Sequence, residues 1–467
     1  MAMASVFCWL LLWLLNAAAG AGADEAPGVE RARLYGNLNA YAYYFTDLQV
    51  GTPKAQLTSV IIDTGSHLLG FPCGGCDHCG RHLEPGFYMS QSKTAEWTPC
   101  KAELHCEHCF ENRCQYTEKY SEGSSISGHW FEDYVKLGDV FQENPAVKAR
   151  MGCHNSENKL FYTQQANGIM GLAPPEHKTA TGNILHDLFR DKKHVDANRF
   201  AICMADWGGL LSVGGDSAEY HTGGVNWIPM QVDGYYTVHP KSMMVEDRLL
   251  AAGPYDFGKA VIDTGTTLTY FPTGVYNSLI ATLDAYCALP DKCKTERLPG
   301  HPKCWRFKGA TTPEGERAAL SQANFPTIKM KFRYTEEDVE VIWRPEAYLG
   351  KRIRMGELCY AFAAMKQIDQ TILGISWLLH KDAIFDVTSQ RFGIVDADCP
   401  SHHKIPTSLW EMFSGPSWLL QPRLSISLPL VAVLLAGGFM LMACRFWRLF
   451  SALYAPRVEQ SETGPLL

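Results

Sequence analysis

The stretch VIIDTGSHLLG (60–70) runs three aliphatic residues into Asp63-Thr64-Gly65-Ser66, a small polar turn that a buried strand has no obvious reason to contain. About two hundred residues later nearly the same text returns as AVIDTGTTLTY (260–270), with Asp263-Thr264-Gly265-Thr266 at its centre. In each half, roughly a hundred residues on, two apolar residues meet a glycine, in NGIMGL (167–172) and TILGI (371–375). One Asp-Thr-Gly reads as an ordinary glycine turn in a hairpin. Two, each preceded by Ile and each with its matching apolar partner, form an internal repeat.

Paired aspartates of this kind suit hydrolysis by two carboxylates that share one proton. Brought together, Asp63 and Asp263 cannot both ionise easily, so one proton is held more tightly and the other carboxylate stays charged. The charged member takes a proton from water; the neutral one donates a hydrogen bond to the carbonyl under attack. Gly65 and Gly265 allow a tight turn whose amides steady the charge. Ser66 and Thr266 can reach the outer carboxylate oxygens, and Thr64 and Thr264 can brace the two turns against each other. Titration belongs to the pair as a unit.

At 467 residues the chain can hold two sizeable cores, and its net charge of −7 without a basic block gives no reason to expect a nucleic-acid partner. The ends are apolar. SVFCWLLLWLLNAAAGAGA (5–23) reads as a secretory signal peptide, although a Lys/Arg-containing leading region is missing. LSISLPLVAVLLAGGFMLMAC (424–444) is an uncharged run of 21 residues between Arg423 and Arg445. As a helix it would measure about 31 Å, enough to cross a bilayer core. Arg445 and Arg448 beyond it place the tail in the cytosol and the rest in the lumen, the topology of a type I membrane protein.

That topology governs the cysteines. Apart from Cys8 and Cys444, fourteen remain, an even number in a compartment where disulfides form. Cys73, Cys76, Cys79, Cys100, Cys106, Cys109, Cys114 and Cys153 crowd the first half. Zinc is the other reading, because His78, His82, His105 and His108 interleave with them in CGGCDHCGRH (73–82) and HCEHC (105–109). A secreted context favours disulfides and no metal. The later cysteines, at 203, 287, 293, 304, 359 and 399, form no metal-like cluster.

The chain's texture is mostly β. Strand-like runs include YAYYFTDLQVGTP, QLTSVIIDTG, GGLLSVGG, GVNWIPM, GYYTVHPKSMMV, FPTIKMKF and VEVIWRPEAYL. Helix-like runs are few: NILHDLFRDK, GVYNSLIATLDAYCAL and ISWLLHKDA. The expected organisation is a signal peptide over 1–22, a short segment over 23–35, and an N-terminal lobe over 36–220 with a cysteine-rich insertion at 73–114. A C-terminal lobe over 221–400, a stalk over 401–423, the span over 424–444 and a cytosolic tail over 445–467 follow.

Over 40–399 the chain resembles the pepsin-type aspartic proteases. The resemblance implies two β-rich lobes with a cleft between them and a hairpin flap above it. EKYSEGSSISGHW (118–130) matches that flap, with Tyr120 at the position of the flap tyrosine; VNWIPM (225–230) and DGYY (233–236) match the entry to the second lobe. The family's Trp after the first Asp-Thr-Gly-Ser is Gly70 here, which puts the support of the flap tyrosine in question. HLLGFPC (67–73) with its insertion, MGCHNSE (151–157), QQANGIMGL (164–172) and the C-terminal span are similar to membrane-bound members of the plasmepsin V type, apicomplexan proteases that trim exported proteins early in the secretory pathway. Those members carry an unpaired Cys beside the flap tyrosine; Ser121 stands there in this chain.

The resemblance implies a role for Glu122, which alone reads as a solvated loop acid: with Gln164 or Gln165 it would hold the Arg of an Arg-x-Leu motif, with cleavage after the Leu. It also implies disulfides Cys203–Cys399 and Cys304–Cys359; Cys287–Cys293 is a local expectation. The resulting expectation is a monomeric endopeptidase without a cofactor, acting on secretory-pathway proteins from the endoplasmic reticulum membrane, or from a Golgi or cell-surface membrane. A β-secretase-type membrane protease with other cargo, an inert protease-fold binding protein and a cysteine-rich receptor or metal module are the alternatives. His67 receives no role. DEAPGVERARLYG (24–36) is too short and too weakly basic to fill a cleft as a prosegment, so the expected protein is active as made, best at mildly acidic to neutral pH.

Overall fold

The computed structural model describes residues 28–100, 106–174, 183–190, 194–333, 338–366 and 370–404. The expected signal peptide and the 424–444 span lie outside them. Among the described residues no helix is long and apolar enough to cross a membrane.

QLTSVIID (Gln56–Asp63) is rich in β-branched residues and forms a strand buried from Thr58 onward. It pairs antiparallel with Tyr43–Val50 and parallel with Gly168–Gly171, so Asp63 lies opposite Gly171. The second half repeats this arrangement. Ala260–Ile262 pairs parallel with Thr371–Leu373, bringing Ile262 opposite Leu373 and leaving Asp263 just beyond the strand end. Two parallel pairs thus carry the two aspartates.

The halves are joined by a shared sheet. Arg199–Met204 pairs with Lys381–Asp386, which in turn pairs with Arg391–Asp396 and through it with Asn226–Pro229. Phe200, Phe385 and Tyr236 pack across this junction, with Phe200 and Phe385 stacked at 4.5 Å. Most of the second half forms a six-stranded and two four-stranded sheets. Its helix Thr273–Cys287 buries Val275, Tyr276, Leu279, Leu283 and Tyr286, one stripe at helical spacing.

Four expectations are corrected. ISWLLHKDA is not one helix: only Ile375–Leu378 is helical, and Lys381–Asp386 is a wholly buried strand of the shared sheet. Pro313–Gln322 is a helix the sequence reading missed, with Thr312 capping Gly315 and Glu316 buried against Arg352. The boundary at 35/36 falls inside a strand, Glu30–Asn37, which pairs with Gly209–Val213 and Tyr43–Val50. Finally, residues 401–404 are not free stalk. Ser401 and His402 bond the Trp207 carbonyl, and the half-buried Lys404 pairs with both Asp47 and Glu84.

Seven disulfides join the fourteen cysteines: 73–153, 76–79, 100–109, 106–114, 203–399, 287–293 and 304–359. With every sulfur of the insertion oxidised in a pair, no thiolate is left there to ligate zinc. So many disulfides fit a protein of the secretory pathway.

Candidate active site

The two Asp-Thr-Gly turns face each other with near two-fold symmetry. Gly65 N donates to Asp63 Oδ1 at 2.8 Å and Ser66 Oγ to its Oδ2 at 2.5 Å. Opposite, Gly265 N donates to Asp263 Oδ1 at 2.9 Å and Thr266 Oγ1 to Oδ2 at 2.5 Å. The threonines between them interlock. Thr64 N donates to Thr264 Oγ1 and Thr264 N to Thr64 Oγ1, both at 3.0 Å. Each hydroxyl then donates across to the other strand, Thr64 to the Ile262 carbonyl at 2.8 Å and Thr264 to the Ile62 carbonyl at 2.9 Å. Four buried hydrogen bonds therefore set the spacing of the turns.

Glycine is required sterically. A Cβ on Gly65 would lie 2.6 Å from Asp263 Oδ1, and one on Gly265 only 2.3 Å from Asp63 Oδ1. Each turn is the wall against which the other's carboxylate packs. Gly171 and Gly374, the glycines of the repeated apolar motifs, sit equally close to the chain leaving each turn, at 2.5 Å from His67 C and 2.3 Å from Leu268 O for an added Cβ. That close crossing explains why the repeat ends in Gly.

Asp63 is 6% exposed. Burial, and then the neighbouring Asp263 carboxylate, push its carboxyl up to about 8 against the opposing pull of Ser66 and Gly65. The pair therefore holds a proton at neutral pH.

The hairpin Arg113–Lys119 and Ser125–Leu137 turns through 120–124, where Tyr120 N donates to Ser124 O at 2.9 Å. Tyr120 packs on Phe161 at 4.8 Å, and burial followed by the Asp63 charge keeps its phenol protonated. Glu122 is exposed at the tip. The short helix Lys159–Thr163 ties this turn to the expected glutamines: Leu160 N donates to Ser124 Oγ at 3.3 Å, and the helix ends on Gln164. Gln164 is half-buried, its Nε2 donating to Ala166 O at 3.2 Å, while Gln165 is exposed and its N donates to Tyr43 Oη at 2.9 Å.

Three features were missed. His67 reaches the second half of the chain, its Nε2 3.0 Å from Gly234 O and its ring beside Tyr235. Tyr43 anchors the 164–166 segment, accepting also from Ala166 N at 3.2 Å. A Cβ on Gly70 would come 2.6 Å from His154 Nε2, so an imidazole occupies the space beside it. The Cys-His pair in MGCHNSE was the only available signal for it.

These features agree with comparisons to known proteins. Residues 43–397 match the family model described as eukaryotic aspartyl protease. The chain is 33% identical over 429 residues to aspartic protease 5 of Toxoplasma gondii, an alignment covering 80% of this chain and 38% of that protein. It is 26% identical over 452 residues to plasmepsin V of Plasmodium falciparum, covering 79% and 73%. To pepsin II-2/3 of Oryctolagus cuniculus it is 27% identical over 248 residues, covering 52% and 58%. The chain thus spans well under half the length of the Toxoplasma relative and most of that of plasmepsin V. A family match over most of the length, around two interlocked Asp-Thr-Gly turns, leaves one conclusion: the chain belongs to the eukaryotic aspartyl protease family, the pepsin-type aspartic endopeptidases.

Proposed function

We propose that Asp63 and Asp263 are the catalytic pair of a membrane-anchored endopeptidase that cuts secretory-pathway proteins after Leu in Arg-x-Leu motifs. The observation that carries this reading is the interlocked pair of turns, which holds two carboxylates side by side with their inner oxygens bonded to glycine amides and their outer ones to hydroxyls. A water between them loses a proton to the charged carboxylate as its oxygen attacks the peptide carbonyl. The neutral carboxyl donates to the carbonyl oxygen, and the tetrahedral intermediate collapses with proton transfer to the leaving amine. No acyl-enzyme forms.

The Arg is read by Glu122 with Gln164 or Gln165; the bond from Leu160 N to Ser124 Oγ, in the helix that ends on Gln164, supports this reading. A carboxylate at the flap tip gains a charged partner as the flap closes on substrate. The membrane anchor is the 424–444 run, and the endoplasmic reticulum is the compartment proposed. The test is Glu122→Ala. It should lower kcat/KM for Arg-x-Leu peptides by about 10- to 100-fold, the worth of one charge-assisted hydrogen bond, and leave peptides lacking the Arg nearly unaffected. Equal losses on both peptides would remove Glu122 from substrate recognition.

The pair also sets the pH profile. Activity needs one proton on the dyad, so it falls on the acid side when the second carboxylate is protonated and on the alkaline side when the shared proton leaves. With that proton held up to about 8 by burial and the neighbouring charge, the alkaline limb of kcat/KM should be centred near pH 8, leaving activity at neutral pH. A kcat/KM profile already lost by about pH 6 would contradict the burial argument.

A further inference from the structure

Behind the flap, on the side carrying the insertion, three buried ionisable side chains meet. Glu157 closes strand Val147–Glu157 and its side chain is wholly buried. His154 Nδ1 lies 2.9 Å from its Oε1 and His82 Nε2 3.0 Å from its Oε2. Burial would raise this carboxyl, but the bonds to His154 and His82 outweigh burial and hold it below the usual range, so it is ionised. A carboxylate only accepts, and both imidazoles therefore donate to it.

Their remaining nitrogens differ. His154 Nε2 is buried without a polar partner among the described residues, beside Gly70. A proton there would find no acceptor. His82 Nδ1 instead lies 3.2 Å from the Gln164 carbonyl oxygen, another pure acceptor. A neutral imidazole has one N–H and cannot donate to both; an imidazolium can. One imidazolium against one carboxylate also leaves this buried pocket neutral. Of the other groups facing it, His78 spends its Nδ1 on the Glu157 backbone carbonyl at 2.9 Å and packs on Tyr162, and Tyr116 on the flap strand is kept protonated by burial.

We propose that His82 is a positioning residue: donating from both ring nitrogens, it ties the Gln164 backbone to Glu157 and, beside the bonds of Tyr43 and Leu83 to the same segment, fixes where Gln164 stands in the cleft. The idea rests on the reading of Gln164 as a substrate contact. The dyad performs the chemistry and sets kcat; the position of Gln164 sets KM.

The test compares His82→Gln and His82→Arg with the parent full-length protein. A Gln amide cannot donate in both directions, whereas an Arg guanidinium donates in both at every pH. For Arg-x-Leu peptides at one fixed pH, His82→Gln should raise KM about tenfold and His82→Arg should keep the parent KM, with kcat shared by all three. Histidine-selective 15N spectra of the parent at that pH should include an imidazole protonated at both nitrogens that is absent from both variants. A neutral single tautomer for His82 at that pH, or coincident KM values for the parent and His82→Gln, would overturn the proposal. If Glu122→Ala still discriminates Arg peptides while His82→Gln keeps the parent KM, the positioning role fails and the proposed function stands. Indifference of Glu122→Ala to the Arg would instead fail the reading of the site on which the proposal rests.

Discussion

Asp63→Asn or Asp263→Asn is expected to lower turnover of a peptide substrate by at least about 10³-fold without unfolding the protein. Asparagine has the shape of aspartate and can still accept from the glycine amide at Oδ1. Its Nδ2 can donate to the hydroxyl of Ser66 or Thr266, which reverses roles. The interlocking threonine bonds involve neither side chain, so the turns keep their spacing. What disappears is the shared proton and the anion that activates water. Stability supplies a second readout for Asp63. Its carboxyl is raised in the folded state, so the stability it contributes is fully present below about pH 4, where the unfolded chain is also protonated, and is lost as pH rises towards about 8. Asn has no such dependence. The Tm of Asp63→Asn relative to the parent should therefore rise across that window. Turnover in either variant within about tenfold of the parent would end the assignment of the dyad.

The parts legible in the sequence are those whose chemistry is local. Each Asp-Thr-Gly turn bonds its carboxylate within three residues, so its text carries its geometry, and its duplication announces the pairing. Tyr120 was reachable because the flap is a single hairpin. Other features depend on who meets whom across the fold. ISWLLHKDA opens on the mostly apolar ISWLL and ends on HKDA, a text too short to separate helix from strand, and pairing of Lys381–Asp386 with Arg199–Met204 makes its end a strand. The helix Pro313–Gln322 carries few apolar residues; its Thr312-Pro313 start was the signal to use. His82 looked like a zinc ligand beside Cys79. The sequence favoured disulfides over zinc; folding shows which cysteines pair and that Glu157, 75 residues on, takes the imidazole.

Gly265→Ala is expected to lower kcat by about 100-fold or more, although it adds a single methyl group. The added Cβ would stand 2.3 Å from Asp63 Oδ1 and 2.5 Å from its Cγ, a separation non-bonded atoms do not tolerate. Relief by rotating Asp63 would break its bonds to Gly65 N and Ser66 Oγ. Relief by shifting the second turn would strain the reciprocal bonds between Thr64 and Thr264. Either way one carboxylate moves by about 1 Å, and a displacement of that size at reacting groups costs on the order of 10²-fold in rate. The overpacking should lower stability by about 1–3 kcal/mol, so Tm is measured alongside kcat at a temperature where the variant is folded. Gly274→Ala is the control. It lies in the first turn of Thr273–Cys287, an added Cβ there meets nothing within 4 Å, and alanine suits a helix better than glycine. The control should keep parental kcat and be no less stable. Because the substrate-binding residues are untouched, Gly265→Ala should change KM little. Parental kcat in a folded Gly265→Ala protein would mean that the Asp63 carboxylate does not work from its place against the second turn, and the side-by-side geometry of the dyad would have to be abandoned.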